Sequence, residues 1–205
     1  MLVIVDYDAG NIRSVVRAVE HCGGSPRVSG DPGAVRRASA VILPGVGAAA
    51  QAMDRLAALG LDEALHDVAA RGIPLLGVCL GLQVLLDHSE EGGLDGTRCL
   101  GLLPGVVRRF PAGRKVPHMG WNTVSWQHDT PLAAGIPSES YFYFVHSYYA
   151  TCDPAQTAGL AEYGVPFAAV LARDNVFATQ FHPEKSSEVG LRIYQNFLRL
   201  ANLCS

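Results

Sequence analysis

The chain has 205 residues, 49% of them hydrophobic and 17% charged, with a formal net charge of −3. That composition suits one compact core rather than a disordered chain. The charge balance argues against a general polyanion binder, and no apolar run approaches the roughly 20 residues that span a bilayer.

Strands and helices alternate through the first half. "LVIVDY" is a short apolar run ending at an acid. "NIRSVVRAVEHCGG" follows with Ile12, Val15, Val16 and Val19 at helical spacing, and Gly23–Gly24 stops it. "AVILPGVG" reads as a buried strand and turn, "AAAQAMDRLAALG" and "LDEALHDVAARG" as helices, "IPLLGV" as a third strand and "LGLQVLLDHS" as a helix. This order predicts βαβ units and a parallel sheet covered on both faces.

The pattern changes after residue 90. "EEGGLDG" reads as a flexible loop. "GLLPGVVRRF", "WNTVSW", "YFYFVHSYYAT", "TAGLAEY", "FAAVLARDN" and "VFATQFHPE" are short and strand-like, with Asp174-Asn175 as a hairpin turn. "EVGLRIYQNFLRLANL" closes the chain as an amphipathic helix with Leu191, Tyr194, Leu198 and Leu200 among its apolar positions. The expected fold is α/β: one domain over 1–205, with a largely parallel central sheet, helices on both faces and an additional antiparallel strand region in the C-terminal half.

The five cysteines (Cys22, Cys79, Cys99, Cys152, Cys204) are odd in number and form no CxxC, so neither a disulfide framework nor a zinc site is expected. No His/Cys/Asp cluster has ligand spacing, and no metal or cofactor is expected. The opening "MLVIV" meets Asp6 after five residues, too short for a secretory signal. The expectation is a cytoplasmic chain with reduced thiols, without nucleic-acid or membrane partners. The basic stretches at 36–37, 108–109 and 113–115 read as solvated faces.

One cysteine stands apart. "GVCLG" (77–81) follows an apolar strand and matches G-x-C-x-G, the thiol form of the nucleophile elbow. A strand turning sharply into a helix needs room, which Gly77 and Gly81 give. Cys79 would then project at a helix N-terminus, where the dipole and free N–H groups favour a thiolate. The Leu80 N–H becomes a natural oxyanion donor. A cysteine between glycines is also a small buried side chain, so the reading needs a second feature. "QFHPE" (180–184) supplies it: Pro183 biases His182 toward extended geometry, and residues two apart then point the same way. One ring nitrogen of His182 would face the thiol while Glu184 holds the other, as nucleophile, base and orienter do. His146 is the rival base, but it has no acid two residues away.

"GVCLGLQ" with "FHPE" resembles the triad glutaminase domains of the class I glutamine amidotransferases, and "LPGVG" (43–47) is similar to their oxyanion loop. The resemblance implies hydrolysis of glutamine to glutamate and ammonia, with the ammonia passed to a synthase partner. It assigns Cys79, His182 and Glu184 as catalytic. It gives the second oxyanion donor to Val46 or Gly47, with Gly45 and Gly47 letting that peptide rotate. It places Gln83, one turn beyond Cys79, and the segment His146, Ser147, Tyr148 on the substrate, beside Gly45.

"DYDAGNIRSV", "VPHMGWN" (116–122) and "YFYFVHSYY" (141–149) resemble the branch of the family that forms a heterodimer with a cyclase subunit, a TIM barrel. "VPHMGWN" reads as a loop whose bulky residues suit an interface. His118, Met119, Trp121 and Asn122 are expected to face the partner, with Tyr143 and Lys185. The competing readings are a glutaminase for another synthase, such as an anthranilate-type one, a thiol hydrolase of another elbow type, and a non-catalytic amidotransferase-like binding module.

Overall fold

The computed structural model describes residues 1–8, 11–93 and 95–203. Ala9 and Gly10 of "DYDAGNIRSV", Leu94 of "EEGGLDG", Cys204 and Ser205 lie outside the described residues. The first half runs β1 (Leu2–Val5), α1 (Ile12–His21), β2 (Pro26–Ser29), α2 (Pro32–Arg36), β3 (Ala40–Gly45), α3 (Ala49–Ala58), α4 (Leu61–Ala70), β4 (Leu75–Cys79) and α5 (Leu80–Leu85). The second half runs β5 (His88–Ser89), β6 (Thr97–Arg98), β7 (Gly105–Arg109), β8 (His118–Trp126), β9 (Ser140–His146), β10 (Tyr148–Cys152), β11 (Thr157–Glu162), β12 (Pro166–Arg173), β13 (Val176–Thr179) and α6 (Ser187–Leu200).

The strands β2-β1-β3-β4-β13 pair in parallel in that order. The sequences of β1, β3, β4 and β13 are almost wholly apolar because both faces are covered, while β2 is a half-exposed edge. Leu2, Ile4, Ile42, Leu76 and Val78 pack on one face with α1 and α6, while Val3, Val5, Val41, Leu43 and Leu75 pack on the other with α3, α4 and α5. From β13 the sheet continues antiparallel through β12, β10 and β7, and a branch runs from β12 through β11 and β8 to β9. The expected α/β fold with a parallel centre and an antiparallel C-terminal region is what the chain adopts.

Local expectations hold where the turn chemistry is explicit. Asp174 adopts φ 53° and Arg173 pairs with Val176, so Asp174-Asn175 is a two-residue hairpin turn. Helix α1 ends where Gly23 takes φ 87° and the Gly24 N–H donates to the Val19 carbonyl at 2.9 Å.

Two segments differ, and the described residues of "EEGGLDG" form the loop expected there. Helix α5 stops at Leu85, short of "LDHS", because the next backbone groups are taken by the sheet: the Asp87 N–H donates to the Gly105 carbonyl, and His88–Ser89 pair with both β6 and β7. The "EEGGLDG" segment is the connection of the β5–β6 hairpin, tied by the Thr97 hydroxyl donating to the Glu91 carbonyl at 2.5 Å. "VPHMGWN" is no loop: from His118 onward it is β8, paired residue for residue with β9. Bulky residues alternate there because a strand sends them to opposite faces.

Candidate active site

The register of three adjacent strands assembles the site. Gly45 at the end of β3 lies opposite Cys79 at the end of β4, and on β4's other edge Thr179 of β13 lies opposite Val78. The "PGVG" turn, the cysteine and "QFHPE" therefore leave the sheet side by side at the carboxyl ends of the strands, where open α/β sheets collect ligands.

Cys79 has φ 56° and ψ −107°, a conformation that L-residues avoid and that persists only when the surroundings impose it. The surroundings do so through two glycines. A Cβ on Gly77 would lie 2.6 Å from Leu85 Cδ1, and one on Gly81 would collide with the Leu43 carbonyl oxygen. Helix α5 is thereby pressed onto β3 and β4, and the chain turns within one residue. Cys79 is 6% exposed and borders a pocket of about 360 Å³ that Val46, Gly47, Leu80, Gln83, Ser147, Tyr148 and His182 also line.

His182 follows β13 with φ −97° and ψ 99°, the extended geometry expected before Pro183. The chain then curls into a 3₁₀ turn at Pro183–Lys185, which brings Glu184 back beneath the ring rather than alongside it in a strand. His182 Nδ1 and Glu184 Oε1 are 2.8 Å apart, and the Glu184 side chain has no exposure. Two further donors converge on that carboxylate: Asn11 Nδ2 on Oε1 at 2.5 Å and the Tyr194 hydroxyl on Oε2 at 3.2 Å. Burial by itself would lower the His182 pKa, but its interactions with Cys79 and Glu184 outweigh burial and hold it well above the ordinary value. Burial would likewise raise Glu184, and the His182 hydrogen bond and charge hold it low. His182 Nε2 is buried and has no hydrogen-bond partner among the described residues. Ser186 fixes the histidine backbone, donating to the His182 carbonyl at 2.7 Å and accepting from the Tyr143 N–H at 2.9 Å.

The loop after β3 is shaped differently from expectation at one position. Gly45 is not a swivel: a Cβ there would lie 2.5 Å from the Tyr7 hydroxyl and 2.9 Å from Leu80 Cβ, so the position needs space rather than freedom. Gly47, with φ 97° and nothing near it, is the position that requires glycine's conformational range.

Gln83 reaches the pocket with its amide already committed. Nε2 donates to the Tyr148 carbonyl at 3.0 Å and to Gln180 Oε1 at 3.1 Å, which fixes the amide's orientation and leaves Oε1 to accept from a ligand. Two residues enter the site that the motifs alone did not mark. Gln180 is fully buried and its Nε2 donates toward Cys79 Sγ at 3.8 Å. Glu91 lines the pocket and anchors the start of α3, accepting from the Ala49 N–H at 2.7 Å. Gln180 opens the "QFHPE" motif and was legible as a neighbour of His182. Glu91 sits in a glycine-rich stretch with no spacing signal.

His146 borders the pocket, but both ring nitrogens are occupied: Nδ1 lies 2.8 Å from the Tyr148 carbonyl and Nε2 lies 2.9 Å from His118 Nδ1. Burial pushes its pKa down to about 3, so it is neutral and has no free nitrogen for a base's work. His118 corrects the expectation of a partner-facing residue. It points inward on β8, 4% exposed, directly opposite His146. Asn122, on the same inward face, spends its amide on the Glu162 carbonyl. Met119 and Trp121 do point outward, 61% and 52% exposed, with Tyr143 alongside Trp121 and the exposed Lys185 ammonium 5.9 Å from the Tyr143 ring centroid.

The model of the family "Glutamine amidotransferase class-I" matches residues 3–201. Among curated relatives, the "Imidazole glycerol phosphate synthase subunit HisH" of Herpetosiphon aurantiacus is 52% identical, over 98% of this chain and 95% of its own. The protein of the same name from Dehalococcoides mccartyi is 47% identical, over 98% of each chain. Among solved structures, a glutamine amidotransferase superposes with a TM-score of 0.76 at 21% identity over 98% of each chain. The Trypanosoma brucei CTPS glutaminase domain with bound acivicin superposes with 0.73 at 17% identity over 98% of this chain and 93% of its own, and both speak for the fold alone. With an elbow cysteine and its imidazole partner lying inside a match that runs from β1 to the end of α6, the chain belongs to the glutamine amidotransferase class-I family.

Proposed function

We propose that this chain is the glutaminase subunit of an imidazole glycerol phosphate synthase, hydrolysing glutamine and delivering the ammonia to a cyclase subunit, a TIM barrel, in histidine biosynthesis. One observation carries the chemistry: a buried imidazole is held on one nitrogen by a fully buried carboxylate and keeps the other nitrogen unpartnered beside a strained cysteine. Relatives named for that synthase, about half identical over nearly their whole length, support the assignment among glutaminases. The whole chain, 1–205, is read as one glutaminase domain working in the cytoplasm. Among the described residues no helix is long and apolar enough to cross a membrane.

Cys79 Sγ attacks the side-chain amide carbon of glutamine with its proton already held on His182 Nε2, which Cys79 and Glu184 keep protonated above the ordinary imidazole range. The tetrahedral oxyanion is held by the Leu80 N–H and by an N–H of the Val46–Gly47 turn. Collapse breaks the C–N bond, and His182 returns its proton to the leaving nitrogen, which departs as ammonia. His182 then takes a proton from water, which attacks the thioester and releases glutamate and the thiol. Glu184 keeps Nδ1 protonated and stabilises the imidazolium in both halves. The substrate's amino-acid end lies against Ser147 and Tyr148, with its ammonium on Glu91 and Gln83 Oε1. The exposed Met119, Trp121 and Lys185, with the half-buried Tyr143, receive the cyclase. The Tyr143 carbonyl accepts from the His182 N–H at 3.0 Å, so the docking face is bonded to the base's backbone.

The test is glutamine turnover by the isolated chain, by the chain with cyclase, and with cyclase plus its substrate-like ligand. The proposal expects slow turnover alone and a rise at each addition. A cyclase that neither binds the chain nor changes its turnover refutes the assignment.

A further inference from the structure

His118 is a buried polar residue that the mechanism does not use, and its surroundings dictate its proton. His146 Nδ1 lies 2.8 Å from the Tyr148 carbonyl, an acceptor only, so Nδ1 carries the hydrogen. The neutral ring then has a bare Nε2, and His118 Nδ1, 2.9 Å away, must donate to it. His118 Nε2 is bare in turn and faces Asn122 Nδ2 at 3.4 Å. Asn122 cannot be turned over, because its Oδ1 accepts from the Thr123 N–H at 2.9 Å and its Nδ2 donates to the Glu162 carbonyl at 2.9 Å. Every donor in the row Asn122–His118–His146–Tyr148 therefore points the same way. Burial keeps both rings neutral, lowering His118 to about 4 and His146 to about 3.

The row ends on the pocket wall. The Tyr148 carbonyl receives both His146 and Gln83, and His146, Ser147 and Tyr148 border the pocket while His118 does not. The wall turns between β9 and β10 at Ser147, where one backbone hydrogen bond, from the Phe110 N–H to the Ser147 carbonyl at 3.4 Å, holds the outer side and the His146 and Gln83 side chains hold Tyr148 from within.

We infer that His118 is a positioning residue for glutamine: its Nδ1–H, donated to His146, holds the 146–148 wall in the shape that receives the substrate's amino-acid end. The inference rests on the glutaminase reading and deepens it. His118 touches no reacting atom, so its loss acts on substrate affinity and leaves the Cys79–His182–Glu184 chemistry in place.

The experiment uses the full chain bound to its cyclase subunit. His118→Phe keeps a ring in the stack between Tyr163 and Phe144, whose centroids lie 4.2 and 5.2 Å away, and removes the donor. His118→Asn restores a donor near the Nδ1 position. His118→Phe is expected to raise KM for glutamine roughly tenfold to a hundredfold, the range for a buried acceptor left without its donor, with kcat within about threefold. Capture of Cys79 is then read by peptide mapping with two alkylating agents. A glutamine-derived chloroketone needs the wall, and iodoacetamide needs only the thiol. The first should slow in parallel with KM and the second should not, and His118→Asn should recover most of both losses. An unchanged KM in His118→Phe, an equal slowing of both reagents, or a His118→Asn as impaired as His118→Phe would each overturn the inference. A native complex that hydrolyses no glutamine would instead refute the proposed function.

Discussion

Replacing Glu184 by glutamine isolates the contribution of one charge. Three donors meet the Glu184 carboxylate, from His182 and Asn11 on Oε1 and from Tyr194 on Oε2. An amide in the same place satisfies this set if its oxygen takes the Oε1 position and its NH₂ faces Tyr194, whose hydroxyl rotates to accept. The Nδ1–H tautomer of His182 is therefore preserved and only the negative charge is lost. An opposite charge at that distance shifts a pKa by about 1–3 units, and each unit is worth about 1.4 kcal/mol. Glu184→Gln should then lose roughly 10- to 10³-fold in kcat, less than removal of the base. The assay is glutamine turnover by the complex as a function of pH. The alkaline limb, where the imidazolium that protonates ammonia is lost, should move to lower pH by the same 1–3 units. A loss as complete as that of His182→Ala, or full activity with an unmoved alkaline limb, would refute the reasoning.

Tyr194→Phe removes one of the three donors and should lower activity by about tenfold or less, with the alkaline limb moving slightly upward as Glu184 becomes a stronger acceptor for His182. Gly77→Ala places a methyl group 2.6 Å from Leu85 Cδ1 and should cost about 1–3 kcal/mol, a fall of roughly 2–12 °C in Tm by calorimetry. An unchanged Tm would mean that α5 is not pressed onto β4 as described. Stability should also decline as pH falls from about 6.5 to 5: His118 and His146 bind protons in the unfolded chain there, but their folded pKa values are about 4 and 3. His182 acts oppositely, contributing below its unfolded pKa and losing that contribution as pH rises toward about 10. Urea titrations across pH should show the acid slope reduced in His118→Phe, and an equal slope would contradict the neutral pair.

The side chains proposed as catalytic could be picked out because their local chemistry is explicit. Glycines flanking a cysteine at a strand's end and a proline between histidine and glutamate each constrain the backbone before any tertiary contact forms. Strands buried on both faces were equally clear, since nothing but apolar residues fits there. The losses follow from the opposite situation. Strand β2 is a half-exposed edge of four residues and α2 is five residues long, capped by Asp31, too short for periodicity to register. His118 was misread because "VPHMGWN" carries proline and glycine that suggest a loop, whereas its pairing with β9 lies far along the chain. Glu91 was invisible because only the folded sheet brings the β5–β6 connection over the cysteine.

The most direct test of the glutaminase assignment compares two nitrogen sources in the complex with cyclase. With Cys79→Ser, product formation from glutamine should vanish while product formation from added ammonium salt continues at the native rate. Glutamine-dependent synthesis that survives Cys79→Ser would contradict the assignment of the nucleophile, and ammonium-dependent synthesis that fails with it would contradict a role confined to supplying ammonia.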